Sequence, residues 1–285
     1  MSLDRFAHVA GRLLNTPLAL HPAKAEMLVA ALADRLGIVR VNGLTPRPAA
    51  FVGDENSRDV DRSYEVVAGV AVIPIQGTLV HKLGTAAPWC GMMGYDGIRA
   101  NLLAALDDPK AKAIALDVDS PGGEVAGCFD LVDTLHRARG TKPVWAILSE
   151  SAYSAAYAIA SACDRVTVPR TGGAGSVGVV AMHADLSQSL AHDGVAVTFI
   201  QYGARKTDGN EYQPLSDPAL QRFQAEIDRL GELFVATVAR NRGLAANAVR
   251  DQQAATFHGS DAVSAGLADA VLAPDEAFGA LLSAL

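Results

Sequence analysis

The sequence predicts an α/β protein with a mainly parallel sheet. Apolar, β-branched runs alternate with helix-patterned segments from Val66 onward, the signature of strands joined by crossover helices. Stop signals close the helical segments, as at Asp107-Asp108-Pro109 and Gly140. Half of the 285 residues are hydrophobic, enough for a sizeable core.

Residues 1–64 read as an accessory segment. Pro22 to Leu36 carries apolar residues at helical spacing, and Gly37 stops it. Residues 43–64 are rich in Pro, Asp, Asn, Ser and Arg, which marks a linker. The main domain is expected over 65–285.

Val66 to Ile75 predicts a buried strand. Residues 81–94, with four turn formers around Trp89, Met92 and Met93, read either as a surface loop or as a lip that contacts substrate. Tyr95 to Leu106 is helical in pattern, Ala113 to Val118 a strand, and Val125 to Ala138 a helix with Leu131, Val132 and Leu135 on one side. Val144 to Leu148 predicts a strand, Ala155 to Ala162 a helix of small residues, and Val166 to Val168 a short strand. Gly172 to Gly178 is a glycine-rich turn entering Val179 to Met182. Leu186 to His192 predicts a helix and Val195 to Ile200 a strand. Asp217 to Arg240 predicts a long amphipathic helix, with Phe223, Ile227, Leu230, Phe234 and Val238 at three- and four-residue spacing. Short helices and turns follow to Val271.

Composition narrows the function. A net charge of −7 and the lack of a basic run argue against nucleic acid or an anionic membrane surface as a partner. Cys90, Cys128 and Cys163 form no disulfide framework and no metal-ligand spacing, which fits a reducing cytoplasm. The first residues lack the basic start and apolar core of a signal peptide, and no stretch approaches the ~20 apolar residues that span a bilayer. A soluble, cytoplasmic protein is expected, with no metal and no organic cofactor.

Two stretches carry candidate chemistry. In Ser120-Pro121-Gly122-Gly123, glycines between a strand and an expected helix near Glu124 free backbone N–H groups for a developing oxyanion. Taken alone, these residues read more simply as an ordinary strand-to-helix turn. Ser154 stands before the small-residue helix, where a serine is either a nucleophile or an N-cap, and Ser149 and Ser151 compete for both roles. A serine nucleophile needs a base. His183, His192 and Lys206 lie downstream, and a lysine serves only when a low-dielectric site keeps it neutral.

Taken in order, Ser-Pro-Gly-Gly, Ser154, Gly175-Ser176-Val177-Gly178 and Lys206 resemble the signal peptide peptidase A family of serine peptidases. The resemblance runs from about Val66 to Val271 and includes Arg240 to Leu244, Phe257 to Ala262 and Gly266 to Asp269. Gly94 to Arg99, Asp119 to Asp130, Ser149 to Asp164 and Gly203 to Asn210 look most like its phage head maturation (capsid assembly) protease branch. The resemblance implies the Clp protease/crotonase-like superfold of repeated β-β-α units. It implies Ser154 as nucleophile, Lys206 as base and the Gly122 or Gly123 backbone as oxyanion donor. Ser120, Pro121, Tyr153, Gly175 and Ser176 are then expected to line the substrate. It further implies protein substrates (scaffold, capsid or portal protein), a homo-oligomeric ring or dome (in some relatives the nucleophile and base come from neighbouring subunits), and action in the host cytoplasm or inside a procapsid. Two departures stand out. Ala155-Ala156 occupies the place where many members have two glycines. The chain also ends at Leu285, without the scaffold extension of some phage members, so the expectation is scaffolding from another chain or reading frame, or a remnant copy.

The competing expectations are a cytoplasmic peptidase degrading peptides, a Ser154–His183–Asp triad, an acyl-CoA hydratase or thioesterase on the same superfold, and a non-catalytic head component.

Overall fold

The computed structural model describes residues 16–21, 64–83 and 91–285. The expected helix at 22–36, most of the linker at 43–64, and Trp89 and Cys90 of the lip lie outside these residues.

Twelve strands and eight helices follow in chain order among the described residues. They are β1 (Leu18–Leu20), β2 (Glu65–Val67), β3 (Val70–Gln76), β4 (Thr78–Val80), β5 (Met92–Gly94), α1 (Tyr95–Asp107), β6 (Ala113–Ser120), β7 (Gly122–Glu124), α2 (Cys128–Ala138) and β8 (Val144–Tyr153). Then come α3 (Ala155–Ser161), β9 (Arg165–Val168), β10 (Gly173–Gly175), α4 (Ser187–His192), α5 (Asp217–Arg242), α6 (Ala246–Arg250), β11 (Thr256–His258), α7 (Ser260–Ser264), β12 (Ala270–Val271) and α8 (Pro274–Ser283).

The larger sheet runs β2-β3-β6-β8-β10-β11, and its central pairs β3–β6, β6–β8 and β8–β10 are parallel, as the alternation of strands and helices requires. β9 pairs with the first half of β8 and β10 with its end, so the far edge of β8 is shared. A smaller sheet, β1-β7-β4-β5, stands beside it. The chain passes from the larger sheet to the smaller and then into a helix twice, as β3–β4–β5–α1 and as β6–β7–α2.

Every residue of α3 is buried, and the helix packs on β8 and β7 and against α2 and α5. Its small side chains allow that close approach. Arg139, just past α2, donates to the carbonyls of Ser161, Ala162 and Cys163 at the C-terminus of α3, and to that of Asn241 in α5. One guanidinium thus satisfies the carbonyls left over where α3 ends.

Three expectations are corrected. The helix after Gly123 begins at Cys128, because Gly122–Glu124 is drawn into a strand between β1 and β4. Val195 to Ile200 forms no strand, since no partner strand within the described chain offers it a ladder. The strand from Val144 runs on through the polar Ser149-Glu150-Ser151 to Tyr153, because β10 pairs with that end.

The amphipathic α5 is also divided. Leu230, Phe234 and Val238 are buried, whereas Phe223 is exposed and Ile227 half-buried. Residues 187–206 are almost wholly exposed, with Ile200 and Tyr202 fully so. Among the described residues no helix is long and apolar enough to cross a membrane.

Candidate active site

β8 enters the molecule as a buried central strand, and the chain reverses sharply at Ser154 into α3. Ser154 has φ 54° and ψ −120°, a backbone region that side-chain-bearing residues rarely adopt. Holding a serine there costs roughly 1–3 kcal/mol and persists only where the surroundings fix it. The surroundings do so here: the Ser154 N–H donates to Gly175 O at 2.8 Å, and Ala158 N–H donates to Ser154 O at 2.9 Å. A strained serine on a strand-to-helix turn is how a hydroxyl is presented for nucleophilic attack. This separates Ser154 from Ser149 and Ser151, which lie within the strand. The Ser149 hydroxyl is already held by the Asp117 carboxylate.

The two glycines of β7 abut this turn. Gly122 has φ +99°, and a Cβ added to it would meet Ala19 O, stand 2.9 Å from Tyr153 O and stand 3.0 Å from Ser154 Cβ. A Cβ on Gly123 would overlap the Leu79 carbonyl. Only glycine allows so close an approach of backbones around a serine. The Gly122 N–H is engaged with Ser120 Oγ at 3.2 Å, and that hydroxyl donates to Gly77 O at 2.6 Å. The buried Ser120 therefore shapes the turn from within.

Other expected residues gather here. Tyr153 has its ring 5.0 Å from that of His21 and 6.3 Å from that of His258. The Pro121 carbonyl accepts from His21 N–H at 2.9 Å. Gly175 (φ +113°) and Ser176 (φ +55°) form the turn behind Ser154, with Ser176 N–H bound to Ala255 O at 2.8 Å. The Ser154 hydroxyl donates to Gly178 O at 3.4 Å. Gly178 belongs to the glycine motif but was not singled out from sequence, where a carbonyl contact leaves no signal.

The candidate bases have other surroundings. Lys206 lies exposed in the turn 203–209, and among the described residues its ammonium makes no hydrogen bond or ion pair. His183 Nε2 is bound to Asn210 O at 3.0 Å, which pins one end of the exposed segment to the other. Neither hydrogen-bonds Ser154 within the described chain. Cys128 lies behind the turn with Sγ 3.8 Å from Ala155 O, and burial pushes its thiol up to about 12. Such a thiol is no nucleophile. No cluster of three or more His, Cys, Asp or Glu among the described residues is placed to hold a metal.

A strained serine beside two crowded glycines is an arrangement suited to nucleophilic catalysis. Residues 136–283 match the model of peptidase family S49, and the chain belongs to that family. It is similar to the capsid assembly protease C of Escherichia phage lambda, at 39% identity over 99% of this chain and 67% of that protein. It is also similar to the head-tail preconnector protein GP5 of Enterobacteria phage P21, at 38% identity over 98% of this chain and 58% of that one. Protease 4 of Haemophilus influenzae is 28% identical over 75% of the chain and 34% of its own length. The chain thus spans between over half and about two thirds of the two phage proteins' lengths.

Proposed function

We propose that the chain is a serine endopeptidase that cuts head proteins (scaffold, capsid or portal) during phage or prophage head maturation, with Ser154 as nucleophile and Lys206 as general base. The observation that carries this is Ser154, held at φ 54° between Gly122 and Gly178. The phage relatives' names and their near-complete cover of this chain support the setting, in the host cytoplasm or inside a procapsid.

Lys206 takes the Ser154 proton as Oγ attacks the scissile carbonyl. The oxyanion is held by the N–H groups of Gly123 and of Ala155, the latter one of the orphan donors at the start of α3. Gly122, whose own N–H is engaged, provides the close approach. Lysine then protonates the leaving amine, and water releases the acyl group. No metal or cofactor enters any step.

Lys206 is exposed and makes no hydrogen bond to the buried Ser154 within the described chain, so in this reading the dyad is completed by Lys206 of a neighbouring copy. The exposed segment 187–206 and the exposed start of α5 form the contact. A ring or dome of copies follows, on a Clp/crotonase-like superfold, a reading supported by the strand-to-helix runs β3–β4–β5–α1 and β6–β7–α2. Residues 65–285 form the peptidase domain, and 1–64 the accessory segment.

Casein digestion tests this reading. Ser154→Ala and Lys206→Ala each lose at least about 10²-fold in activity. Mixing a Ser154→Ala Lys206→Ala double variant with either single variant restores nothing, but mixing the two single variants restores part of the activity. His183→Ala remains active. Loss with His183→Ala and retention with Lys206→Ala would make the histidine the base.

A further inference from the structure

A peptidase groove waits for a strand, and here a strand of the chain itself already lies in it. β1 runs antiparallel to β7 in the register Leu18–Glu124, Ala19–Gly123 and Leu20–Gly122. Its other edge bridges Val180, with Leu18 N–H to Val180 O at 2.8 Å and Val180 N–H to Leu18 O at 2.9 Å. Residues 17–21 are thus clamped by backbone from both sides, between the Gly122–Gly123 edge and the segment after Gly178. These are the two stretches that flank Ser154. Such main-chain pairing is how an extended peptide is bound with little regard for its side chains.

The register singles out one bond. Val125 N–H donates to Pro17 O at 3.3 Å, and His21 N–H donates to Pro121 O at 2.9 Å. Hydrogen-bonded pairs alternate along an antiparallel ladder, so the pair between these two is Ala19 with Gly123. The Ala19 carbonyl therefore faces the Gly123 N–H, the donor assigned above to the oxyanion. The same carbonyl oxygen and Ser154 Cβ both crowd the point where a Cβ on Gly122 would stand. Leu18, Ala19 and Leu20 are all buried. Ala19 offers a small, fully buried side chain opposite Gly123, and the His21 ring rests near Tyr153 on the far side of the bond.

We infer that the Ala19–Leu20 peptide bond is a self-processing site: residues 17–21 occupy the groove as its first substrate and screen Ser154 until the bond is cut. The inference rests on Ser154 being the nucleophile. Its Oγ adds to the Ala19 carbonyl carbon and its proton passes to the base. The Ala19–Leu20 C–N bond then breaks and the Leu20 amine takes the proton. Water hydrolyses the Ala19 ester, leaving residues 1–19 with a carboxylate and the remaining chain with Leu20 as its new N-terminus.

Intact-mass spectrometry and N-terminal sequencing of the purified full chain test this, with fluorophosphonate labelling of Ser154 and casein digestion followed in parallel. Wild type is expected to accumulate a species beginning at Leu20, and its labelling to rise as that species forms. Ser154→Ala stays whole. Ala19→Arg, which places a long cation against small residues, slows the cut at least tenfold, and Leu18→Pro, which deletes the N–H bonded to Val180, does the same from a second position. A wild-type chain that digests casein and labels at Ser154 while its Ala19–Leu20 bond stays whole overturns the inference and leaves the peptidase reading intact. Cleavage at another bond within 16–21 overturns the register. If Ser154 does not label, and neither casein nor the chain is cut, both readings fail.

Discussion

Single residues decide what this site can do. At Gly122 the positive φ and the contacts with Ala19, Tyr153 and Ser154 leave no room for a methyl group. Gly122→Ala should abolish casein cleavage and lower stability by about 1–3 kcal/mol, measurable as a fall in urea midpoint. Burial raises Cys128 to about 12 and pushes Cys163 up as well, so neither should react with Ellman's reagent at pH 8 until the chain unfolds. Rapid labelling of either in the native protein, read by peptide mapping, would contradict their burial. Much at this scale was legible beforehand. Ser154 stood before a run of small residues, and the glycine pairs marked where backbones come close. What sequence could not choose was which of Ser149, Ser151 and Ser154 turned outward from the strand, because that depends on where β10 stops pairing with β8.

Elements were legible where their signal was local and hidden where it was not. α2 shows its predicted face, with Leu131, Val132 and Leu135 buried. β7 was hidden because Gly122-Gly123-Glu124 has the composition of a turn, and its strand form comes from distant partners, β1 and β4. β1 has three residues, and only Pro17 and Pro22 around Leu18-Ala19-Leu20 hint at an extended stretch. Val195 to Ile200 has the alternation of a strand but no ladder within the described chain. Two ties between elements can be tested. Arg139→Ala strips four carbonyls around the end of α3 of their donor and should cost about 2 kcal/mol in thermal or urea unfolding. Arg242 at the end of α5 pairs with Asp269 at 2.7 Å, and Asp269 also accepts from Val166 N–H at 2.6 Å. Burial pushes the Asp269 carboxyl up, but the guanidinium and the N–H outweigh it and hold the group below its usual range. A depressed folded value stabilises the fold above the ordinary aspartate range and is lost as pH falls through it. Asp269→Asn should therefore flatten the acid limb of stability against pH near and below pH ~4, where wild type still loses stability.

At the scale of the whole molecule, the chain carries the proposed nucleophile, Ser154, buried at the end of a central strand and the proposed base, Lys206, on an exposed segment. Ile200 and Tyr202 are fully exposed there, and Leu220 and Phe223 are exposed on the first turns of α5. In the assembly proposed above, these exposed apolar side chains would lie in the contact between copies. Ile200→Asp should shift the protein toward monomer in analytical ultracentrifugation and lower casein cleavage in step. Leu103→Asp, on exposed α1 surface, should do neither. An assembly that survives Ile200→Asp unchanged would place the contact elsewhere. The most direct test of the central claim is mass spectrometry of the assembled protein after fluorophosphonate treatment, on wild type, Ser154→Ala, Lys206→Ala and His183→Ala. The account predicts modification at Ser154 in wild type and His183→Ala, and none at that position in Ser154→Ala or Lys206→Ala. Normal labelling of Lys206→Ala, with loss in His183→Ala, would contradict it.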